Sequence, residues 1–190
     1  FYFYSYAPMQ IPVGLLMDRY GARKLLTFAS LICAIGSFIF AFSFSFSLAA
    51  VGRFFMGIGS AFGFIGMVYV CSHFFPKKKM ALLVGIGNSI GMLGAVGAEG
   101  PLSLCVERFG WRVIVQTFGF VGLIISFFIF LFIQREKQED KNKQVKIATK
   151  HLMSNLKTVC VNHRSWLNGI TALLIYMTTA GFASLWGIPF

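Results

Sequence analysis

Long stretches without a single charged residue leave this chain few ways to fold. The uncharged runs are 1–17, 25–52, 54–75, 80–98, 113–134 and 165–190, and five of the six reach the roughly 18 residues that a membrane-crossing helix needs. The stretch from 25 to 75 is too long for one span and is expected to turn within 42–48, where Ser alternates with Phe. Six spans result. Helices are the only open-ended structure that can cross lipid, because each backbone N–H and C=O must be satisfied inside its own segment. The short alternating segments of a transmembrane β-barrel are absent. The chain is therefore expected to be an all-α integral membrane bundle. Composition agrees: of 190 residues 57% are apolar and 12% charged, about half the charge of a soluble domain. Soluble and disordered classes are excluded.

The charge pattern sets an orientation. The net charge is +11, a value that can point to nucleic acid, but here the cations fall in the gaps between apolar runs, so no nucleic-acid partner is expected. Arg19, Arg23 and Lys24 follow the first span and Lys77, Lys78 and Lys79 the third. Arg135, Lys137, Lys141, Lys143, Lys146, Lys150, Lys157 and Arg164 follow the fifth. These alternate gaps (18–24, 76–79 and 135–164) are expected to face the cytoplasm of a plasma or inner membrane. The opposite gaps hold Arg108 and Arg112. Within the long gap, Val145, Ala148, Leu152, Leu156 and Val159 recur at three- to four-residue steps. That spacing fits an amphipathic helix lying on the membrane or under the helix bundle; a floppy linker is the alternative. Position 1 is Phe inside an apolar run, so the natural polypeptide is expected to start upstream.

The first cytoplasmic gap reads Gly14-Leu15-Leu16-Met17-Asp18-Arg19-Tyr20-Gly21-Ala22-Arg23-Lys24. Gly14 would let a neighbouring helix approach closely. Asp18 ends the apolar run and either caps a following turn or pairs with Arg23. Gly21 supplies a tight turn. These residues resemble the G-x-L-x-D-R-x-G-x-R-R signature between the second and third helices of the major facilitator superfamily. Arg53-x-x-x-Gly57-x-Gly59-x-Ala61 is similar to the fourth-helix motif of that family, Gly100-Pro101 to the end of its fifth helix, and Gly110-Trp111-Arg112 to the start of its sixth. Val96, Leu104 and Cys105 depart from the longer glycine pattern of its antiporters.

The resemblance implies a secondary active transporter working by alternating access between two six-helix halves, with twelve spans in all. On this mapping 1–134 is an N-terminal half without its first helix, 135–164 the central cytoplasmic connection and 165–190 the first helix of a C-terminal half otherwise missing from the chain. It also implies a conformational latch at Gly14, Asp18, Arg19, Gly21 and Arg23, and helix packing at Gly57, Gly59, Gly100 and Pro101. The phrase 6–14 is similar to second helices of the organic-anion and sugar-phosphate branch.

Arg53 and Glu99 are the charges that lie well inside apolar runs. A charge at that depth is costly unless paired or hydrated. Either the two form a pair that contacts substrate or couples transport to a proton or other cation, or Arg53 snorkels to the interface and Glu99 stands in water at the outer mouth. Asn88, Ser89, Gln10, Tyr4, Tyr6, Gln116 and Tyr176 are further polar groups on apolar spans that either line a cavity or bond between helices. The cysteines (33, 71, 105 and 160) are isolated from one another and from His, which argues against a metal site and for buried thiols. No cofactor motif, nucleotide-binding loop or nucleophile constellation is present, so an enzyme is not expected. The expected partners are the lipid bilayer, a small-molecule substrate, a coupling ion and the remaining half of the same protein. The competing reading is a truncated, non-transporting membrane protein: a scaffold, an assembly partner or an incomplete gene product.

Overall fold

A computed structural model of the chain describes residues 1–133 and 161–186. Seven helices make up almost all of these residues: α1 (Tyr2–Tyr20), α2 (Ala22–Ala41), α3 (Phe46–Phe74), α4 (Lys77–Glu99), α5 (Pro101–Phe109), α6 (Trp111–Phe132) and α7 (His163–Trp186). They fall into two compact units, 1–145 and 146–190. The second contributes α7. The amphipathic pattern at 145–159 lies outside the described residues.

Four helices, α2, α3, α4 and α6, are long and apolar enough to cross a membrane. The expected break between the second and third runs is present and short. Phe42 caps α2, and the Ser45 hydroxyl accepts a 3.3 Å bond from the Leu48 N–H to start α3. At 29 residues α3 is about 43 Å long, more than the hydrocarbon core is thick. The apolar run at 1–17 ends before its helix does: α1 carries Asp18, Arg19 and Tyr20 as its last turn. Pro8 and Pro12 sit inside it, where each removes one helical donor. Beyond Gly100-Pro101 the chain forms α5, a separate nine-residue helix, before it turns into α6.

In the first unit α2 packs against both α3 and α6, α1 lies on α3, and α4 reaches α3 and α5. The α2–α3 seam is made of small residues. Ala22, Ala29 and Gly36 on α2, and Gly52, Gly59 and Gly66 on α3, are all buried. Each set is spaced by seven, which keeps it on one stripe of its helix. A Cβ on Gly52 would stand 2.7 Å from the Phe40 backbone N and 2.9 Å from the Gly36 carbonyl. A Cβ on Gly36 would stand 2.8 Å from the Met56 backbone N. These are backbone-to-backbone contacts that no larger residue permits. Gly57 has the same role toward α1, where a side chain would collide with Tyr2 and Ser5.

Serines then tie the helices together. Ser5 Oγ donates to the Phe54 carbonyl (2.9 Å), Ser30 Oγ to that of Gly122 (3.0 Å) and Ser126 Oγ to that of Thr27 (3.0 Å). The last two run in opposite directions between α2 and α6. A core of Val13, Met17, Ala22, Ala29, Ala61, Phe62 and Tyr69 fills the space where α1, α2 and α3 meet.

Gly59 faces the Ala29 carbonyl and Cys33, whereas Gly63, one turn on, faces open space. Gly59→Ala is expected to destabilise the full-length protein by about 1–3 kcal/mol and Gly63→Ala to leave it unchanged or slightly more stable, as read by thermal unfolding in detergent. Gly21 holds φ 81° and ψ 154°, a region open to Gly alone, so Gly21→Ala is expected to cost about 1–3 kcal/mol in the same measurement.

Candidate functional site

The sequence features with functional promise gather at the two ends of the first unit. At one end α1 runs into α2 through a single residue, Gly21, whose N–H donates to the Met17 carbonyl at 2.8 Å. Asp18 is half-buried in the last turn of α1, three residues before this corner. The Arg19 guanidinium lies 5.3 Å from the centroid of the Tyr20 ring. Arg23, one turn into α2, lays its guanidinium 4.3 Å from the Phe130 ring of α6. Its Nε is buried without a hydrogen-bond partner, so the ring face is what compensates that part of the charge. Phe130 lies two residues before the end of α6, where the free carbonyls of the helix favour a cation. Among the described residues, nothing comes within 4 Å of a Cβ placed on Gly14 of α1.

The same end holds Lys77, Lys78 and Lys79, all exposed in the first turn of α4. A cavity of about 320 Å³ opens between the ends of α3 and α6, lined by Val70, Phe74, Phe75, Phe132 and Ile133. The described side chains that line it are all apolar.

The other end carries Arg53 and Arg112. Arg53 lies about 10 Å along α3 from the start of that helix. Its guanidinium stacks 4.2 Å from the centroid of the Phe40 ring on α2. The Phe40 ring in turn meets Trp111 at 5.5 Å. Arg112 lies 4.8 Å from the Trp111 ring and 5.6 Å from Phe44, and its Nη2 donates to the Ser43 carbonyl at 3.5 Å. Two guanidiniums therefore flank an aromatic pair, a link that sequence reasoning missed because its members lie on α2, α3 and α6. Glu99 is the last residue of α4; its side chain lies outside the described residues, and so does any pairing with Arg53. Gly100 caps α4, and Pro101 opens α5 at a position where its missing N–H costs nothing.

The polar groups scattered along the spans separate into two sorts. Ser89 bonds back to the Gly85 carbonyl of its own helix at 3.0 Å. Tyr4, Asn88 and Ser89 are exposed, while Tyr6, Gln10 and Gln116 are half-buried. The described cysteines are free; Cys71 is buried, and Cys33 and Cys105 are only half-buried.

Comparison with known proteins places this arrangement in a family. Residues 1–190 match the Major Facilitator Superfamily. The riboflavin transporter RibZ of Clostridioides difficile is 27% identical over 176 residues, which cover 88% of this chain and 38% of that protein. A nitrite extrusion protein of Bacillus subtilis is 26% identical over 176 residues, 93% of this chain and 41% of its own length. A probable sulfoacetate transporter, SauU, of Cupriavidus necator is 30% identical over 120 residues, 63% of this chain and 28% of its own. The chain thus spans less than half the length of these relatives. With the family matched over residues 1–190, the chain belongs to the Major Facilitator Superfamily.

Proposed function

We propose that the protein containing this chain is a secondary active transporter that moves a small solute across the plasma membrane by alternating access. The observation that carries the reading is the family match over all 190 residues. The named relatives transport riboflavin, export nitrite or are assigned to sulfoacetate, and a further relative of Escherichia coli is a probable galactarate/D-glucarate transporter. Nitrite, sulfoacetate and glucarate are anions, which favours an organic or inorganic anion as cargo. The gaps at 18–24, 76–79 and 135–164 face the cytoplasm on this reading, in keeping with the positive-inside bias. Residues 1–134 then belong to the N-terminal half, 135–164 to the central connection and 165–190 to the first helix of the C-terminal half.

Within that frame Gly14, Asp18, Arg19, Gly21 and Arg23 form a cytoplasmic latch, with Arg23 braced on Phe130 and Asp18 meeting the C-terminal half when the cytoplasmic side is closed. Arg53 contacts the anion, its side chain braced by Phe40. Glu99 takes and releases the coupling proton. A guanidinium offers a planar fork to a carboxylate that an ammonium cannot reproduce.

Full-length protein in proteoliposomes with a proton-sensitive dye, offered a panel of organic anions, tests the assignment. Arg53→Lys is expected to raise KM about tenfold. Glu99→Gln is expected to leave exchange but abolish net proton-driven uptake. Normal proton dependence in Glu99→Gln together with a normal KM in Arg53→Lys removes both roles, and the absence of uptake of any panel member removes the anion reading.

A further inference from the structure

The chain passes from α3 to α4 through Phe75 and Pro76, and Lys77, Lys78 and Lys79 follow at once. Three cations in the first turn of a helix are poorly placed, because the helix dipole already makes that end positive. The turn holds no acidic residue, and Pro76 caps it without a side-chain hydrogen bond. Among the described residues, none of the three ammoniums has an ion-pair or hydrogen-bond partner. Sidedness accounts for cations in this gap, but not for their place inside the helical turn. An anion seated there meets the ammoniums and the positive end of α4 together.

The residues just before this cluster line a cavity. Phe74 and Phe75 form one wall of the space between the ends of α3 and α6, and Val70, Phe132 and Ile133 complete it. Lys77 follows Phe75 by two residues, about 7 Å of chain at most. An apolar cavity of about 150 Å³ stays dry and accepts a hydrocarbon such as benzene. At about 320 Å³ this one has room for a stretch of hydrocarbon chain.

The walls say what kind of occupant fits. The α2–α3 seam is built from glycine and alanine, which let backbones meet. The end of α6 is built otherwise: residues 127–132 read Phe-Phe-Ile-Phe-Leu-Phe, and Phe132 is 77% exposed. Such a surface suits lipid chains rather than a closely packed helix. The connection beyond α6 is a poor match as well. Its apolar repeat at 145–159 carries Lys146, Lys150 and Lys157 and no acid, so it brings like charge toward Lys77, Lys78 and Lys79.

We propose that the end of α3 and the start of α4 form a binding site for one anionic phospholipid. Its phosphate lies on Lys77, Lys78 and Lys79, and one acyl chain enters the cavity between α3 and α6. Basic clusters at a membrane surface attract anionic headgroups of every kind. The cavity adds a contact to the chain, which turns a diffuse attraction into a site for a single molecule. The site lies at the membrane interface in either orientation of the bundle, so it stands apart from the transport reading.

Intact-complex mass spectrometry of the full-length protein in detergent tests this without a transported solute. The probes are dioleoyl phosphatidylglycerol and dioleoyl phosphatidylcholine. One phosphatidylglycerol is expected to bind about tenfold more tightly than phosphatidylcholine. The combined variant Lys77→Gln, Lys78→Gln and Lys79→Gln is expected to lose that preference. Its three positions are exposed, so it folds. The same charge removed by Lys141→Gln, Lys143→Gln and Lys146→Gln is expected to leave the preference intact. Dibutanoyl phosphatidylglycerol, with the same headgroup and short chains, is expected to bind at least about tenfold more weakly than the dioleoyl lipid. Equal binding of the two dioleoyl lipids overturns the site, and so does an equal loss in both lysine variants, which reduces it to net charge. Equal binding of the short-chain lipid also overturns it, because a phosphate on the lysines then needs no chain in the cavity.

Discussion

The whole first unit hangs on the close approach of two backbones. In lipid the tails surrounding a helix are as apolar as its own side chains, so burial of leucine or phenylalanine gives little reason for two spans to associate. What remains is dispersion between closely fitted surfaces and the few hydrogen bonds that polar side chains make across them. The α2–α3 seam supplies the first through Gly36 against Gly52 and Gly59 against Ala29, where a single added carbon meets main-chain atoms. Because these contacts are with backbone, a bulky substitution cannot be absorbed by a side chain swinging aside. Arg23, Arg53 and the Phe40 ring are all positioned from this seam, since α2 and α3 carry them.

The α6 helix turns that pair into a frame. Ser30 and Ser126 cross-bond α2 and α6 in both directions, and Phe38 meets Phe120 edge-on at 5.1 Å. Gly119 gives the Phe38 ring the room it needs, with a hypothetical Cβ only 2.9 Å away. Fixed along its length in this way, α6 sets the separation of the two cationic ends. Three of the cations lie against ring faces: Arg23 against Phe130, Arg53 against Phe40 and Arg112 against Trp111. A ring face satisfies a guanidinium without cancelling its charge, so each arginine stays available to an anion or to a partner helix.

The sequence makes the helices readable because charge is excluded from lipid, so every run of uncharged residues long enough to span had to be a helix. The break at 42–45 was visible in the serines there, whose hydroxyls replace lost helical bonds. The extent of α1 was not, because Asp18 and Arg19 look like the end of a helix to a reading based on charge and are in fact its last turn. Glycines were legible as packing residues in kind but not one by one. Gly59 falls within the fourth-helix motif and Gly63 outside it, but only the rotation of α3 against α2 shows that one is enclosed and the other open. The rings that hold Arg23 and Arg53 were illegible for a related reason, since Phe130 and Phe40 are two of 23 phenylalanines. The pattern of 12–23 also recurs at 101–112, where Pro101, Leu104, Arg108, Gly110 and Arg112 match Pro12, Leu15, Arg19, Gly21 and Arg23. It is masked by Trp111 in place of Ala22 and by the break at Gly100, which cuts the second copy off from its helix where the first runs on unbroken.

That break gives the two turns different mechanical settings. The first is carried by α1, a 19-residue helix with Val13 and Met17 fully buried against the core. The second is carried by α5, which has nine residues, none of them buried, and joins α4 through Gly100. A turn on a packed helix can move only with the half to which it belongs. The turn at Gly110 lies between this short helix and α6, whose Arg112 donates to the Ser43 carbonyl. In the proposed latch the Gly21 turn moves only together with α1, on which it is mounted. The same twelve-residue pattern stands at both ends of one bundle, at one end on a helix with buried residues and at the other on one with none.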